Sequence, residues 1–346
     1  MGAGVNPRLL VVIPARNAGA TIARTLRSVL EQGVDGVHIV VVDDGSTDNT
    51  IEEIRGMGSV GSLNVIAQEG HGVSVARNRG FASIDSPFVM FVDADDSLPP
   101  QSLERFLQFA EREQPDLAIA DFDLFDGSSS RRVKNVNSDR TAFDRNDRLL
   151  LQRLCLARIG VNGEPNVGLL GAPWAKLYKR EFLNRRFAPE LFKPGVTRGQ
   201  DVLFNADVFG KADSVAYWHE SVYLYRVSAG SSSHLATQSF SRKVSVLSGA
   251  LDQLLVREGW EELKPAVAKL VVTLLDEALS RELSGLTLAT VRRLLASEPY
   301  KSALQTVEFS NFSPAGKLKL AALRSPVMAL VLWRALGRLR RSGRLS

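Results

Sequence analysis

Five short apolar runs, each followed by a polar break and an amphipathic stretch, constrain this chain more than any other feature. They are Leu9–Pro14 (LLVVIP), Val37–Asp43 (VHIVVVD), Leu63–Gln68, Phe88–Asp93 and Leu117–Phe122. Unbroken Val, Ile, Leu and Phe suit strands buried on both faces. Helices are expected over about 20–31, from about 48, and over 73–83 and 103–112. Alternating strand and helix implies an α/β fold, a mostly parallel sheet with both faces covered. Ligands of such sheets bind beyond the strand C-termini, near the point where strand order reverses. Pro14, Asp43, Asp44 and the acids after Val92 all fall on that edge.

The fourth run is the most informative. FVMFVDADDSLPP (88–100) ends in Asp93, Asp95 and Asp96, with Pro99 and Pro100 suited to a helix first turn. Carboxylates this close repel one another and lose hydration. A hard divalent cation compensates them and can bring a phosphorylated ligand with it. The plainer reading is that Asp96 or Ser97 caps the next helix and the other two acids are solvated.

Two further stretches serve the same edge. VVDDGSTDNT sets Asp43 and Asp44 on a Gly-Ser turn, where an acid can accept from ribose hydroxyls or a base N–H. An Asx-turn with Asp48 or Ser46 as helix cap explains the same residues. EGHGVSVARNRG leads a glycine-rich loop into a helix bearing Arg77 and Arg79. Such arginines fork onto phosphate or a base carbonyl, or are simply solvated helix charges.

Composition narrows the classes. The 346 residues hold one cysteine, Cys155, in an apolar-periodic run, so disulfides and cysteine metal sites are excluded. No run has the length of a spanning helix, and the chain enters its first strand without a signal-peptide pattern, which predicts a cytoplasmic protein. Lys317 to Ser346 carries eight basic residues and no acid. That +8 against a whole-chain +5 leaves −3 on residues 1–316. The basic pI therefore belongs to the tail and gives no case for nucleic acid.

Together IPARN (13–17), VVDDGSTDNT (41–50), GHGVSVARNRG (70–80) and FVDADD (91–96) resemble, in order and spacing, the nucleotide-sugar half of family 2 glycosyltransferases with the GT-A fold. The resemblance covers residues 8–125 strongly and 171–233 more weakly. It implies that Pro14 and Arg16 line the base pocket, although Ala-Arg stands where an aromatic before the asparagine is commoner. It implies that Asp44 or Asp43 contacts a uridine-like nucleoside, and Arg77 the base or phosphate. Asp93 and Asp95 would form the family's Asp-x-Asp element, Asp93 towards the ribose and Asp95 on Mn²⁺ or Mg²⁺ at the diphosphate.

Beyond Asp126 the same resemblance guides the reading. Gly127–Ser138 is polar, a surface loop or edge hairpin, and Asp144–Ile159 an amphipathic helix. GAPWAKLYKREFL (171–183) is similar to the family's acceptor-side segment: Trp174 would stack on a sugar ring and Lys176 reach a phosphate or acceptor hydroxyl, unless Trp174 is core and Lys176 solvated. In TRGQDVLFNADVF (197–209) the family shows Glu-Asp where this chain has Gln200-Asp201. Asp201 would be the catalytic base, with helix capping the plain alternative, and Gln200 removes a neighbouring charge on the acceptor side. YRVSAGSSSH (225–234) would be a flap, with Arg226 on phosphate and His234 as a metal ligand.

From Thr237 the pattern is helical, over about 237–257, 261–283 and 287–296. The resulting division is 1–125 for the nucleotide-sugar half, 126–235 for the acceptor half, 236–313 for a helical bundle and 314–346 for a basic amphipathic tail. Leu, Val and Trp flanked by arginines suit a helix lying on an anionic membrane surface at the inner face of the cell membrane; a partner-binding helix or a basic disordered end suits the same residues.

The expected function is inverting, metal-dependent transfer of a hexose-type unit from a nucleoside-diphosphate sugar, UDP-linked. The acceptor would be a cell-surface polysaccharide, teichoic-acid-like or lipid-linked. Homo-oligomerisation stays open. A sugar-phosphate nucleotidyltransferase would need a lysine in its phosphate loop, and IPARNAGA has none. A catalytically degenerate sugar-nucleotide-binding subunit is suggested only by Gln200.

Overall fold

The computed structural model describes residues 6–58, 61–157, 168–227, 237–281, 286–309 and 312–341. Its strands are β1 (Leu9–Ala15), β2 (Val37–Asp43), β3 (Leu63–Ala67), β4 (Phe88–Phe91), β5 (Leu117–Phe125), β6 (Ser130–Val133), β7 (Ala142–Asp144), β8 (Lys176–Lys179) and β9 (Ser214–Arg226). They form one sheet in the order β3-β2-β1-β4-β8-β5-β9-β7, with β6 paired to β5. The β1–β2, β1–β4, β2–β3 and β5–β9 pairs are parallel.

The helices of the N-terminal half are α1 (Ile22–Leu30), α2 (Thr50–Gly56), α3 (Val73–Phe81) and α4 (Ser102–Glu113). Their apolar stripes explain the packing. In α1, Ile22, Leu26 and Val29 are buried at helical spacing, and in α4 Leu103, Phe106, Leu107 and Ala110 are. Gly80 in α3 is required by close approach, because a Cβ there would lie 2.4 Å from Val12 Cγ1. The first 125 residues thus fold as their pattern predicts, and the polar stretch after Asp126 makes the edge hairpin through β6.

Three strands, β7, β8 and β9, were not legible in the sequence, and β8 matters most. β8, within the segment assigned to the acceptor, is inserted antiparallel between β4 and β5, with Tyr178 opposite both Val89 and Leu117. It is four residues long and has lysine at each end, so it carries no apolar run. Its placement comes from long-range pairing alone.

Helix α5 (Arg148–Ala157) begins in this half and ends in the second unit, and α6 (Arg180–Arg186) and α7 (Gln200–Lys211) complete this half. The chain separates into two compact units, Met1–Leu151 with Val167–Ser231, and Gln152–Asn166 with Ser232–Ser346. The second contains α8 (Thr237–Glu258), α9 (Lys264–Arg281), α10 (Leu288–Ala296), α11 (Tyr300–Thr306), α12 (Pro314–Leu323) and α13 (Pro326–Arg341). The basic tail is therefore helical, and it is packed within this unit: Leu320, Leu323, Ala329 and Trp333 are buried. Lys319 Nζ and Trp333 Nε1 both donate to Asp276 of α9, at 2.6 and 3.1 Å. None of the described helices is long and apolar enough to cross a membrane.

Candidate active site

Three loops converge at the C-terminal ends of β1, β2 and β3. The Asp44 carboxylate, buried just past β2, accepts from Gln68 Nε2 at 2.7 Å and from the Gly72 N–H at 3.0 Å. Arg16, exposed just past β1, lies 3.6 Å from the same carboxylate. Gly45 has a positive φ of 73°, and a Cβ there would meet Gly70 N at 3.0 Å, so these loops need glycine to close. Asp43, in register with Ala15, turns to Ser46. Asp48 stitches α2 to the neighbouring loop by accepting from Thr50 and Gly19, and its carboxyl is held below the usual range by the Thr50 hydroxyl. Asp48 thus makes an Asx-type turn just before α2, whose N-cap is Asn49 without a side-chain bond, while Asp44 sits beside the arginine. Pro14 is the half-buried residue opposite Val42.

The second wall is the acid loop after β4, clamped from two sides. From α1, the Thr25 hydroxyl contacts Ala94 O at 3.0 Å and Asp96 O at 2.7 Å, Thr21 donates to Ala94 O at 2.8 Å, and Arg24 Nη2 donates to Asp95 O at 2.8 Å. From β9, the Tyr223 hydroxyl donates to Asp96 Oδ2, Arg226 N–H donates to Asp96 Oδ1, and Ser97 bridges Leu224. Asp96 is 1% exposed and is the inward anchor, neither cap nor solvated acid. Asp95 is the residue left facing solvent. Crowding by protein atoms and by Asp93 pushes the Asp95 carboxyl up, and the same two causes raise that of Asp96 to about 8.

Arg77 links this wall to the expected base. Its side chain is buried, Nη2 donates to Asp93 Oδ1 at 2.8 Å, and its guanidinium lies over Phe192. Nε and Nη1 find no acceptor among the described residues. Asp201, in the first turn of α7, is half-buried. Burial pushes its carboxyl up, Arg77 pulls it down, and Asp93 pushes it up again. Arg77 and Asp93, paired at 2.8 Å, both act on Asp201, which puts the three within electrostatic reach of one another. Neighbouring Gln200 is half-buried, with its Oε1 unpartnered among the described residues.

Other sequence expectations fare differently. Trp174 is 3% exposed, stacked on Tyr223 at 4.6 Å and against Phe122, so it is a core ring and offers no face to a sugar. Lys176 is fully buried in β8, its ammonium on Ala172 O, and does not reach an acceptor. Both corrections follow from β8 lying inside the sheet. Arg226 is half-buried and its charge acts on Asp95. His234 and most of the expected flap lie outside the described residues. Sequence reasoning missed Tyr223, Arg24, Thr21, Thr25 and Gln68; the YLYR run ending at Arg226 was the one signal for Tyr223. A cavity of about 880 Å³ lies at the opposite sheet edge, lined by Asp85, Phe88, Lys179 and Arg180, and holds none of these residues.

Residues 10–187, more than half of the chain, match the family described as Glycosyl transferase family 2. The chain belongs to that family. That assignment to a glycosyltransferase family does not support the nucleotidyltransferase reading. It is 28% identical to glycosyltransferase GlyA of Streptococcus pneumoniae over 68% of this chain and 32% of that protein. It is 24% identical to the succinoglycan biosynthesis protein ExoO of Rhizobium meliloti over 66% of this chain and 63% of that one. The chain thus spans from about a third to under two thirds of these relatives. In fold it is similar to Staphylococcus aureus TarS residues 1–349 in complex with UDP-GlcNAc, with a TM-score of 0.59 at 18% identity, covering 97% of this chain and 92% of that one. It is also similar to the mannosyltransferase PcManGT of Pyrobaculum calidifontis, in complex with GDP-Man and Mn²⁺, with a TM-score of 0.51 at 17% identity over 94% and 87%. The fold is GT-A, followed by C-terminal helices.

Proposed function

We propose that this glycosyltransferase is an inverting, divalent-cation-dependent enzyme. It moves a hexose-type unit from a UDP-linked donor to a hydroxyl of a cell-surface glycan or its lipid-linked or teichoic-acid-like precursor. The observation that carries the reading is the cluster of Asp93, Arg77 and Asp201 beside the solvent-facing Asp95.

Asp44 and Arg16 would hold the nucleoside, Asp44 by accepting a base N–H. Asp93 would face the ribose, and Arg226 the diphosphate. Among the described residues no three His, Cys, Asp or Glu side chains form a metal-ligand set. The fit to a cation rests on Asp95, whose carboxyl is raised partly by Asp93; two such acids suit Mn²⁺ or Mg²⁺ completed by diphosphate oxygens. A cation held there would supply positive charge against that of the departing nucleoside diphosphate. Asp201 takes the proton of the acceptor hydroxyl as that oxygen bonds to the anomeric carbon, and the bond from that carbon to the diphosphate oxygen breaks on the opposite face. The raised pKa of Asp201 makes it a stronger base.

UDP-, GDP- and dTDP-sugars should be compared by thermal shift and by donor turnover, with Mn²⁺ and with EDTA. A Mn²⁺-dependent stabilisation by one UDP-sugar, lost in Asp95→Ala, is expected. Equal UDP affinity by calorimetry with Mn²⁺ and with EDTA overturns the cation, and selective response to GDP-sugars overturns the base.

A further inference from the structure

The C-terminal helix α13 is apolar on two sides, and only one of them is used by the fold. Ala329 and Trp333 are fully buried. Val327, Met328 and Val331 are 52%, 57% and 59% exposed, and Arg334, Ala335 and Arg338 are exposed after them. These six stand at positions i, i+1, i+4, i+7, i+8 and i+11, a single helical face. Its first half is apolar and its second half cationic. Exposed Leu318 and Lys317 on α12, and exposed Arg324 at the turn between the helices, repeat the composition. No acid occurs after Glu308.

Single exposed hydrophobics are ordinary, but a contiguous helical stripe of them bordered by arginines is not. A soluble partner with an apolar patch would not by itself explain why every charge here is positive. A second copy meeting this face would bring like charges together. A surface that takes Val and Met into its acyl region while presenting phosphates to arginine answers both halves of the stripe. We infer that the outward face of α13, Val327, Met328, Val331, Arg334 and Arg338, is a docking surface for an anionic lipid bilayer. The surface is distinct from the one the tail's sequence suggests: Trp333 and Leu320 stay in the core, clamped through Asp276, and only the opposite face meets lipid. Truncating the tail would therefore remove core side chains, and surface substitutions are the proper test. The inference is independent of donor and acceptor, and its readout needs no turnover.

Full-length protein should be co-sedimented with phosphatidylglycerol/phosphatidylcholine vesicles and with pure phosphatidylcholine vesicles, at low and high salt. Comparison is with Val327→Gln/Met328→Gln/Val331→Gln and with Arg334→Gln/Arg338→Gln, each checked for an unchanged thermal melt. The altered side chains are exposed and the fold is expected to persist; Arg334 also donates to Leu286 O at 2.8 Å, so Arg338→Gln alone, which keeps that bond, is compared beside the double variant. Wild type should partition onto the anionic vesicles and weaken as salt rises. Each variant should bind at least about tenfold more weakly, from lost burial in the first and lost attraction in the second. Should a variant not fold, partial loss in the single substitutions Met328→Gln and Arg338→Gln carries the same prediction. Equal binding of wild type and variants to anionic vesicles, or equal binding of wild type to neutral ones, overturns the proposal. So does light scattering that shows a dimer broken by the apolar substitutions in a protein that ignores vesicles; the face then meets a second copy.

Discussion

The Tyr223 hydroxyl sits 2.7 Å from Oδ2 of Asp96, donating to it, and accepts the backbone N–H of Asp93 at 3.1 Å. One buried oxygen on β9 thus fixes both ends of the Asp-Ala-Asp-Asp loop after β4. Below it, the Tyr223 ring stacks on Trp174 with an interplanar angle of 4°. Core packing, through a ring and its hydroxyl, sets where the solvent-facing Asp95 points.

Replacing Tyr223 by Phe keeps the stack and removes that oxygen. The Asp93 N–H loses its acceptor and Asp96 a donor, costing about 1–3 kcal/mol in a buried setting. The expected result is a modest fall in melting temperature and a roughly tenfold or greater weakening of Mn²⁺-dependent nucleotide binding, read by calorimetry. A variant with wild-type nucleotide affinity would show that Tyr223 does not position the loop.

Asp96 sets a pH dependence of stability. Its carboxyl titrates near pH 8 in the folded protein, and near the ordinary value of about 4 when unfolded. Between those values the folded state holds a proton that the unfolded state has lost. Stability is therefore greatest below about pH 4 as far as this group is concerned, and it declines as pH rises towards 8, by at most about 1.4 kcal/mol per pH unit. Chemical denaturation in EDTA from pH 5 to 8 should show this decline, and Asp96→Asn should flatten it. An equal slope in both proteins contradicts the assignment.

Asp201 as base predicts a separation of binding from chemistry. Asp201→Asn should leave UDP affinity within a few-fold and abolish transfer. In the wild type, activity requires the carboxylate. Since burial raises its pKa, the acid limb of kcat/KM should lie above the ordinary carboxylate range, with activity lost as pH falls through it. Near-normal transfer by a folded Asp201→Asn protein would move the base elsewhere.

Trp174 predicts a fold defect. Trp174→Ala removes a ring packed against Phe122, Tyr223 and Tyr225, and should cost about 3–5 kcal/mol by denaturant titration. An acceptor-stacking role would instead raise the acceptor KM and leave stability unchanged.

The sequence alone determined the parallel half of the sheet and the edge that carries the candidate site. Those signals are local: apolar runs such as LLVVIP name buried strands, and carboxylates such as Asp44 and Asp95 stand where a run breaks. Only the tertiary structure decided what lies between and beneath them. β8 has no apolar run of its own and becomes a strand because β4 and β5 each offer it an unpaired edge, which draws Trp174 and Lys176 inside. Tyr223 reaches Asp96 across 127 residues of chain, and Trp333 reaches Asp276 across 57. No periodicity encodes contacts at such separations, because each depends on where a distant element packs. The same Leu-, Trp- and Arg-rich tail could have been a free membrane helix or a docked one, and burial of Trp333 beside an acid on α9 settled which face is left to meet solvent.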